Sequence, residues 1–351
     1  MTKYHKINKI DEVITLKIKS FPIYKDLINN IYESKQLIDK YSNIWDYYKK
    51  INNSYEHVYD GHKTFINKSI LPISRSYFKF HEISIDKNIE LENKTILCIA
   101  EAPGGFVKNI LDRTKNANIY ANSLISFDKK IPSWNKHILN NSNVTILDGD
   151  NKTGDIYNIV NIIHMINVMG CNNCDIITAD GGIDYSKNYN YQELDSLKLL
   201  TCEIYFALLA QKHNGCFIIK FFDIFNYSTI RLIYILNLFY TSIEFVKPHT
   251  SRISNSEKYI YCSGFNINNI KKYYSIIDNL KRKIINNNSL DIFIPINFIL
   301  DIYNYNKIFV KNQVDSIKST IDLINSDNSN INSLIYDNYE NANKWYIKYF
   351  I

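Results

Sequence analysis

The chain has 351 residues, 46% hydrophobic and 22% charged, which suits one large globular domain with additions or two small ones and excludes a disordered chain. A net charge of +6 and a pI near 8.7 permit a nucleic-acid partner without requiring one. Asn, Ile, Lys and Tyr are used heavily and Gly and Pro sparingly, as AT-rich codons would dictate, so the 28 tyrosines are weak evidence of base-stacking platforms.

The opening MTKYHKINKIDEV is polar and charged and does not read as a signal peptide. Residues 1–70 carry helical patterning without strand alternation. From about residue 94, strand-like and helix-like runs alternate. TILCIA (95–100) is an apolar run bounded by Asn/Lys before and Pro-Gly-Gly after, which predicts a buried strand. Phe106, Val107, Ile110 and Leu111 then fall at helical spacing. NIYANSLI (118–125) and NVTILDG (143–149) read as the next strands, and CDIITAD (174–180) as a strand that ends on an acid before Gly181-Gly182. A long amphipathic helix is predicted over 191–212, with Leu194, Leu197, Thr201, Ile204 and Leu208 on one face. A strand at 216–222, a helix at 229–240 and strands at 242–246 and 258–265 follow. The last two are joined by a helix-free link near 247–257, which predicts an antiparallel closing pair.

These runs predict an α/β domain, 71–267, with a seven-stranded, mostly parallel sheet and helices on both faces. Helical extensions flank it at 1–70 and at the Asn-rich 268–351. TIRLIYILNLFY (229–240) is too short to span a bilayer and contains Arg231 and Asn237, so a soluble, intracellular protein without membrane association is expected. Most of the six cysteines, Cys98, Cys171, Cys174, Cys202, Cys216 and Cys262, lie in apolar runs, where free thiols pack as small hydrophobes in a reducing compartment. Cys171 and Cys174 form a C-x-x-C, but no second pair stands at zinc spacing, and no metal site is predicted.

Pro103-Gly104-Gly105 after an apolar strand allows close backbone approach to a ligand and opens a helix whose first N–H groups are unpaired. The pattern differs from G-x-G-x-x-G, so a dinucleotide fingerprint is not indicated. Four charged residues recur in particular contexts: Lys79 in SRSYFKFHEI, Asp180 in DIITADGGID, Lys220 in GCFIIKFFDIF and Glu257 in SRISNSEKYIYC. Two lysines and two acids gathered at strand ends beside a ligand-binding turn point to chemistry on a hydroxyl.

Taken in order, these motifs resemble the FtsJ/RrmJ-like 2′-O-ribose methyltransferases over roughly 74–265. LCIAEAPGGFVKNIL is similar to the S-adenosylmethionine-binding motif of that family, and the resemblance implies a Rossmann-like methyltransferase fold. It further implies that Lys79, Asp180, Lys220 and Glu257 form a catalytic Lys-Asp-Lys-Glu tetrad. S-adenosylmethionine would lie against Glu101, Ala102, Pro103, Gly104, Gly105 and Phe106. Many such enzymes have an acid where Cys98 stands, so Glu101 or backbone would hold the cofactor's amino group. At the next strand end the sequence offers only Asp128, and Asp148 or Asp150, with Asp150 preferred, would face the adenine.

The wording A-E-A-P-G-G-F and the run SLISFDKKIPSWNK resemble cap-specific messenger-RNA methyltransferases of large DNA viruses. That implies capped mRNA as substrate, other capping enzymes as possible associates, and a place in the host cytoplasm or virion. Arg75, Lys247 and Arg252, beside the tetrad motifs, are candidates for RNA phosphate contacts. A ribosomal- or transfer-RNA 2′-O-methyltransferase is the alternative within the class, and a non-catalytic RNA-binding capping subunit the alternative outside it.

The chemistry agrees with the residues. Methyl transfer from a sulfonium is an in-line displacement governed by positioning. The ribose 2′-hydroxyl needs its proton removed or its developing charge stabilised, and Lys220 could act as a neutral base or as a cation. Asp180 and Glu257 would tune it, and Lys79 would add positive field. No metal is required.

Overall fold

The computed structural model describes residues 4–7, 24–60, 70–183, 191–287, 290, 292–327 and 330–351. In chain order, β1 (Tyr4–Ile7) precedes α1 (Lys25–Asp39), α2 (Ser42–Ile51), α3 (His57–Asp60) and α4 (Ser76–Asp86). The alternating part runs β2 (Thr95–Ile99), α5 (Gly105–Arg113), β3 (Asn118–Ala121), α6 (Lys136–Leu139), β4 (Val144–Ile146), α7 (Ile159–Met169), β5 (Cys174–Ala179). It continues with α8 (Gln192–Ala210), β6 (Gln211–Phe221), α9 (Tyr227–Phe239), β7 (Tyr240–Val246) and β8 (Lys258–Phe265). Helices α10 (Asn268–Lys272), α11 (Tyr274–Asn286), α12 (Ile296–Asn325) and α13 (Ile331–Phe350) end the chain.

The strands form one eight-stranded sheet in the order β1-β7-β8-β6-β5-β2-β3-β4. Neighbours from β6 through β4 are parallel, whereas β8 pairs antiparallel with both β6 and β7, and β1 antiparallel with β7. The chain therefore steps outward from β2 to β4 and then returns to build the other half from β5. Its direction reverses between β2 and β5, and the crevice at the carboxyl ends of such a pair is where open α/β sheets take ligands.

The expected seven strands become eight. Tyr4–Ile7 lies opposite Val246–Ile243 on the outer edge of β7, within a segment that reads as helical. Four residues, Y-H-K-I, are too few and too polar to display strand alternation, yet they cover an edge that would otherwise present unpaired backbone groups. The other departures are at boundaries. β3 stops at Ala121 and not at residue 125, while β6 starts at Gln211 and not at 216.

Because the central strands are parallel, both faces are buried and their sequences read as apolar runs. Leu97, Ile99 and Ile177 pack with α7, α8 and α9, while Ile96, Cys98, Ile176 and Ile218 pack with Phe80, Phe106, Val107 and Ile110 from α4 and α5. A third cluster of Val58, Tyr77, Phe78, Trp345 and Tyr346 couples α3 and α13 to α4. α1 and α2 pack on α12, and α2 and α3 on α13. Asn52 Nδ2 donates to Thr320 Oγ1 at 2.8 Å. The two flanking segments thus pack on each other. Among the described residues, no helix is long and apolar enough to cross a membrane, and no group of His, Cys, Asp and Glu could hold a metal. Cys171 is exposed and Cys174 buried, and all six cysteines are free.

Candidate active site

Asp180 is the first residue past β5, and Lys220 is the penultimate residue of the adjoining β6. Lys220 Nζ lies 3.1 Å from Asp180 Oδ1 and donates to the Asp180 carbonyl at 2.7 Å. Tyr259, paired with Lys220 across β8, donates its hydroxyl to Asp180 Oδ1 at 2.8 Å. Lys79 reaches in from α4, with Nζ 2.6 Å from Oε1 of Glu257, which stands just before β8. Ser251 Oγ donates to that oxygen at 2.8 Å. The four residues named from sequence thus make two ion pairs, each side chain between 11% and 14% exposed.

Burial opposes the charge on Glu257, but Lys79, Lys220 and Lys247 together hold its carboxyl well below the usual carboxylate range. Burial likewise disfavours the Lys220 ammonium, and Asp180, Glu257 and Glu203 more than reverse that, leaving it well above an ordinary lysine. Lys220 is accordingly a cation in this arrangement. Two of its three N–H groups are committed to Asp180, which leaves one for a further acceptor.

At the end of β2, Ala102 and Pro103 carry the chain into Gly104, whose φ is +106°. A Cβ on Gly104 would stand 2.0 Å from Ile138 Cδ1 of α6, and one on Gly105 would stand 2.0 Å from Ser76 Oγ of α4. Close packing of the protein on itself therefore demands both glycines, beyond any approach to a ligand. The Phe106 ring is fully buried and stacks on Phe80 at 4.9 Å, so only its backbone faces the turn: its N–H donates to Glu101 Oε1 at 2.9 Å.

Glu101 is 3% exposed, and its Oε2 finds no hydrogen-bond partner among the described residues. Burial and nearby Asp180 push its pKa well up. At the end of β3, Asn122 and not an acid is the buried polar residue. It donates to the carbonyls of Leu147 and Gly154, both at 3.0 Å, and its Oδ1 is likewise without a partner among the described residues. Asp128 sits in an exposed turn and accepts the Lys130 N–H at 3.0 Å. Asp148 pairs with Lys152 at 3.2 Å, and Asp150 is exposed beyond β4.

The three basic residues proposed for phosphates are placed unlike free surface cations. Arg75 Nη1 lies 2.8 Å from Glu56 Oε1, and Arg252 Nη2 lies 2.6 Å from the same oxygen. Lys247 is buried and donates to the Glu257 carbonyl at 2.5 Å and the Asn255 carbonyl at 3.0 Å. It braces the Glu257 backbone from inside, because β7 ends by turning this side chain inward.

Sequence reading missed Glu56, which gathers both arginines, and Glu82. Glu82 is fully buried and accepts from the His249 N–H at 2.7 Å, the Thr250 N–H at 3.1 Å, Thr250 Oγ1 at 3.0 Å and Trp345 Nε1 at 3.3 Å. It fixes the loop that delivers Ser251 and leads to Glu257. Its position three residues after Lys79, on the same helix, was the available signal. Beside Glu257 a cavity of about 870 Å³ is walled by Trp45 of α2, Phe222, Arg252, Gln192 and Gln313.

Residues 72–265, more than half of the chain, match the FtsJ-like methyltransferase family model, and the chain belongs to that family. It is 27% identical over 218 residues to a cap-specific mRNA (nucleoside-2′-O-)-methyltransferase of Autographa californica nuclear polyhedrosis virus, covering 58% of this chain and 81% of that one. It is 37% identical over 118 residues to a protein of Trypanosoma cruzi named a cap-specific mRNA (nucleoside-2′-O-)-methyltransferase 1, covering 33% of each. A Pongo abelii cap-specific mRNA (nucleoside-2′-O-)-methyltransferase 2 is 27% identical over 272 residues, covering 72% of this chain and 35% of that one. The matched part thus spans about a third of the latter two relatives.

The methyl donor of this family is S-adenosylmethionine, which supplies an activated methyl on a sulfonium cation together with an ammonium and ribose hydroxyls. The site fits such a molecule. The buried Glu101 Oε2 and Asn122 Oδ1, both unpaired among the described residues, lie at consecutive strand ends as acceptors for N–H or O–H donors. The acids Glu101 and Asp180 provide a field that favours a cation.

Proposed function

We propose that the protein methylates an RNA ribose 2′-hydroxyl, at the first transcribed nucleotide of capped mRNA. The Lys220–Asp180 pair, set beside the Lys79–Glu257 pair at the switch point of the sheet, carries this reading. Lys220 would present its remaining N–H to the ribose oxygen and stabilise the charge that develops there as the methyl is transferred. Asp180 and Tyr259 fix the direction of that N–H, while Glu257 keeps Lys79 nearby as a second positive group. Because Lys220 is already protonated, its part is that of a cation and hydrogen-bond donor.

The cavity beside Glu257 has the volume of a nucleotide-sized site. Its indole, phenyl ring, amides and guanidinium suit an unstacked base and its phosphate. Arg75 and Arg252 are the candidate phosphate contacts, reached by exchanging Glu56 for a phosphate, and Asp150 the candidate adenine contact at the rim. The names of the relatives support capped mRNA over ribosomal or transfer RNA. The amino-acid bias toward AT-rich codons is compatible with a viral source, with action in the host cytoplasm or virion alongside other capping enzymes. The matched segment is the methyltransferase domain in this reading, and the flanking helices wall the substrate cavity.

The test is transfer of tritiated methyl from S-adenosylmethionine to capped, uncapped and structured RNAs. Transfer confined to capped RNA, and lost in a folded Lys220→Ala variant, is expected. Equal labelling of uncapped RNA would overturn the substrate assignment, and full activity of Lys220→Ala would overturn the mechanism.

A further inference from the structure

Glu203 lies midway along α8, in the helix face that packs under the sheet, and is 1% exposed. A carboxyl there is costly unless something uses it. Its Oε1 has no hydrogen-bond partner among the described residues. The same oxygen is pressed against the turn after β5: a Cβ added to Gly181 would stand 2.2 Å from it, with Leu199 Cδ2 at 2.9 Å and Ala100 Cβ at 3.1 Å. A side chain at Gly181 would displace the Glu203 carboxyl from the turn. Gly181 follows Asp180, whose carbonyl and carboxylate hold Lys220 at 2.7 Å and 3.1 Å. The charged groups facing Glu203 are Lys220 of β6 and Asp180 beyond β5, and its other near neighbours, Leu199 and Ala100, are apolar.

We propose that Glu203 is a positioning residue for methyl transfer, fixing the Asp180–Gly182 turn from behind and setting the charge that Lys220 experiences. The inference rests on the methyl-transfer reading for its consequence and on the contacts just described for its geometry. Asp180 and Glu257 pair with Lys220 and Lys79, and Glu203, like Glu101, is a further buried acid beside them. Burial raises its pKa to about 8, with Lys220 and the Gly181 N–H opposing and Asp180 adding to the rise. Its charge therefore changes close to neutral pH, within reach of Lys220.

The test uses the full chain labelled with ¹⁵N-lysine. The Lys220 Nζ resonance, assigned by its loss in Lys220→Arg, should shift in one step near pH 8 in the wild type and show no such step in Glu203→Gln. A Lys220 signal that titrates alike in both overturns the proposal, whatever RNA the enzyme accepts. In the transfer assay at pH 9, where Glu203 is charged, Glu203→Gln should lower kcat at least 10-fold, with the Kd for S-adenosylmethionine and the KM for RNA within about twofold. Unchanged kcat in a folded Glu203→Gln variant also overturns it. Should that variant fail to fold, Gly181→Ala and Gly181→Ala/Glu203→Asp decide: the shorter acid should restore at least half of the kcat lost to the added methyl, and no restoration overturns the proposal. Absence of transfer to capped RNA, with the Lys220 step present, would count against the substrate reading alone.

Discussion

Lys79 Nζ and Glu257 Oε1 stand 2.6 Å apart, although one sits on a helix before the first parallel strand and the other at the entrance to the last strand. The pair closes the site across the sheet. Ser251 on Glu257 and Glu82 on the adjoining loop hold that closure in register.

Removal of Lys79 should therefore act on both charge and geometry. Lys79→Met is expected to lower kcat by about 10²–10³-fold, the range for loss of one preorganised electrostatic contact, and to leave Glu257 with a raised pKa. Lys79→Arg should recover part of the rate, since it restores charge without the same reach. Single-turnover methyl transfer at saturating RNA measures both.

The cavity wall offers a separate readout. Trp45→Ala should raise the KM for RNA roughly 10-fold, as expected for loss of one stacking surface worth about 1–3 kcal/mol, with kcat changed by less than about threefold. A fall in kcat at unchanged KM would place the base elsewhere.

Gly104→Ala should be severe. The backbone is left-handed there and the added methyl meets Ile138, so a loss of more than about 2 kcal/mol in unfolding free energy is expected. Denaturant titration with and without S-adenosylmethionine would show weaker cofactor binding as well.

Acid should weaken the protein through Glu56. Its carboxyl is opposed by burial yet held at about 2 by Arg252, Arg75 and Asn53, against roughly 4.3 in the unfolded chain. A depressed folded pKa gives stability that is present above the unfolded value and is lost as pH falls through the folded one. Glu56→Gln should cost about 2–3 kcal/mol at pH 7, and the difference from wild type should vanish by about pH 2. Unfolding curves at pH 7, 4 and 2.5 would reveal it.

Glu193 runs the other way. Burial raises it to about 7, although the Asn226 and Phe225 amides, at 2.6 Å and 2.9 Å, favour its charge. Its ionisation then costs stability that is absent below roughly pH 4.3 and grows as pH rises toward 7. Glu193→Gln should flatten that part of the pH–stability curve, by up to about 2–3 kcal/mol. An unchanged slope would argue that the charged form is fully satisfied by the Phe225 and Asn226 amides just before α9.

The tetrad was legible because each member stands in a distinctive local run, although only Asp180 and Lys220 are at carboxyl ends of strands, Glu257 preceding β8 and Lys79 lying on α4; the parallel strands could be counted from their apolar runs. What sequence left hidden depends on partners remote in the chain. Glu82 means little until Thr250 and Trp345 are brought to it, and Glu203 reads as a stray acid in an apolar helix until Gly181 lies against it. Lys247 looked like a surface cation because β7 ends there, but nothing local reveals that the side chain turns inward. The short β1 has no periodicity to find. The reason for Gly105 is a serine on another helix.

The Trp345–Glu82 bond has a practical consequence for anyone shortening this protein. Glu82 reads the loop before Glu257, and Trp345, from α13, covers it, while His81 Nε2 lies 2.9 Å from the Tyr349 carbonyl. A fragment trimmed to the family-matched residues would keep the bonds from His249 and Thr250 to Glu82 but lose the Trp345 cover, leaving that carboxylate facing water. Such a fragment would be expected to bind cofactor poorly or transfer slowly, so expression boundaries should take in α13 as well as the family-matched residues.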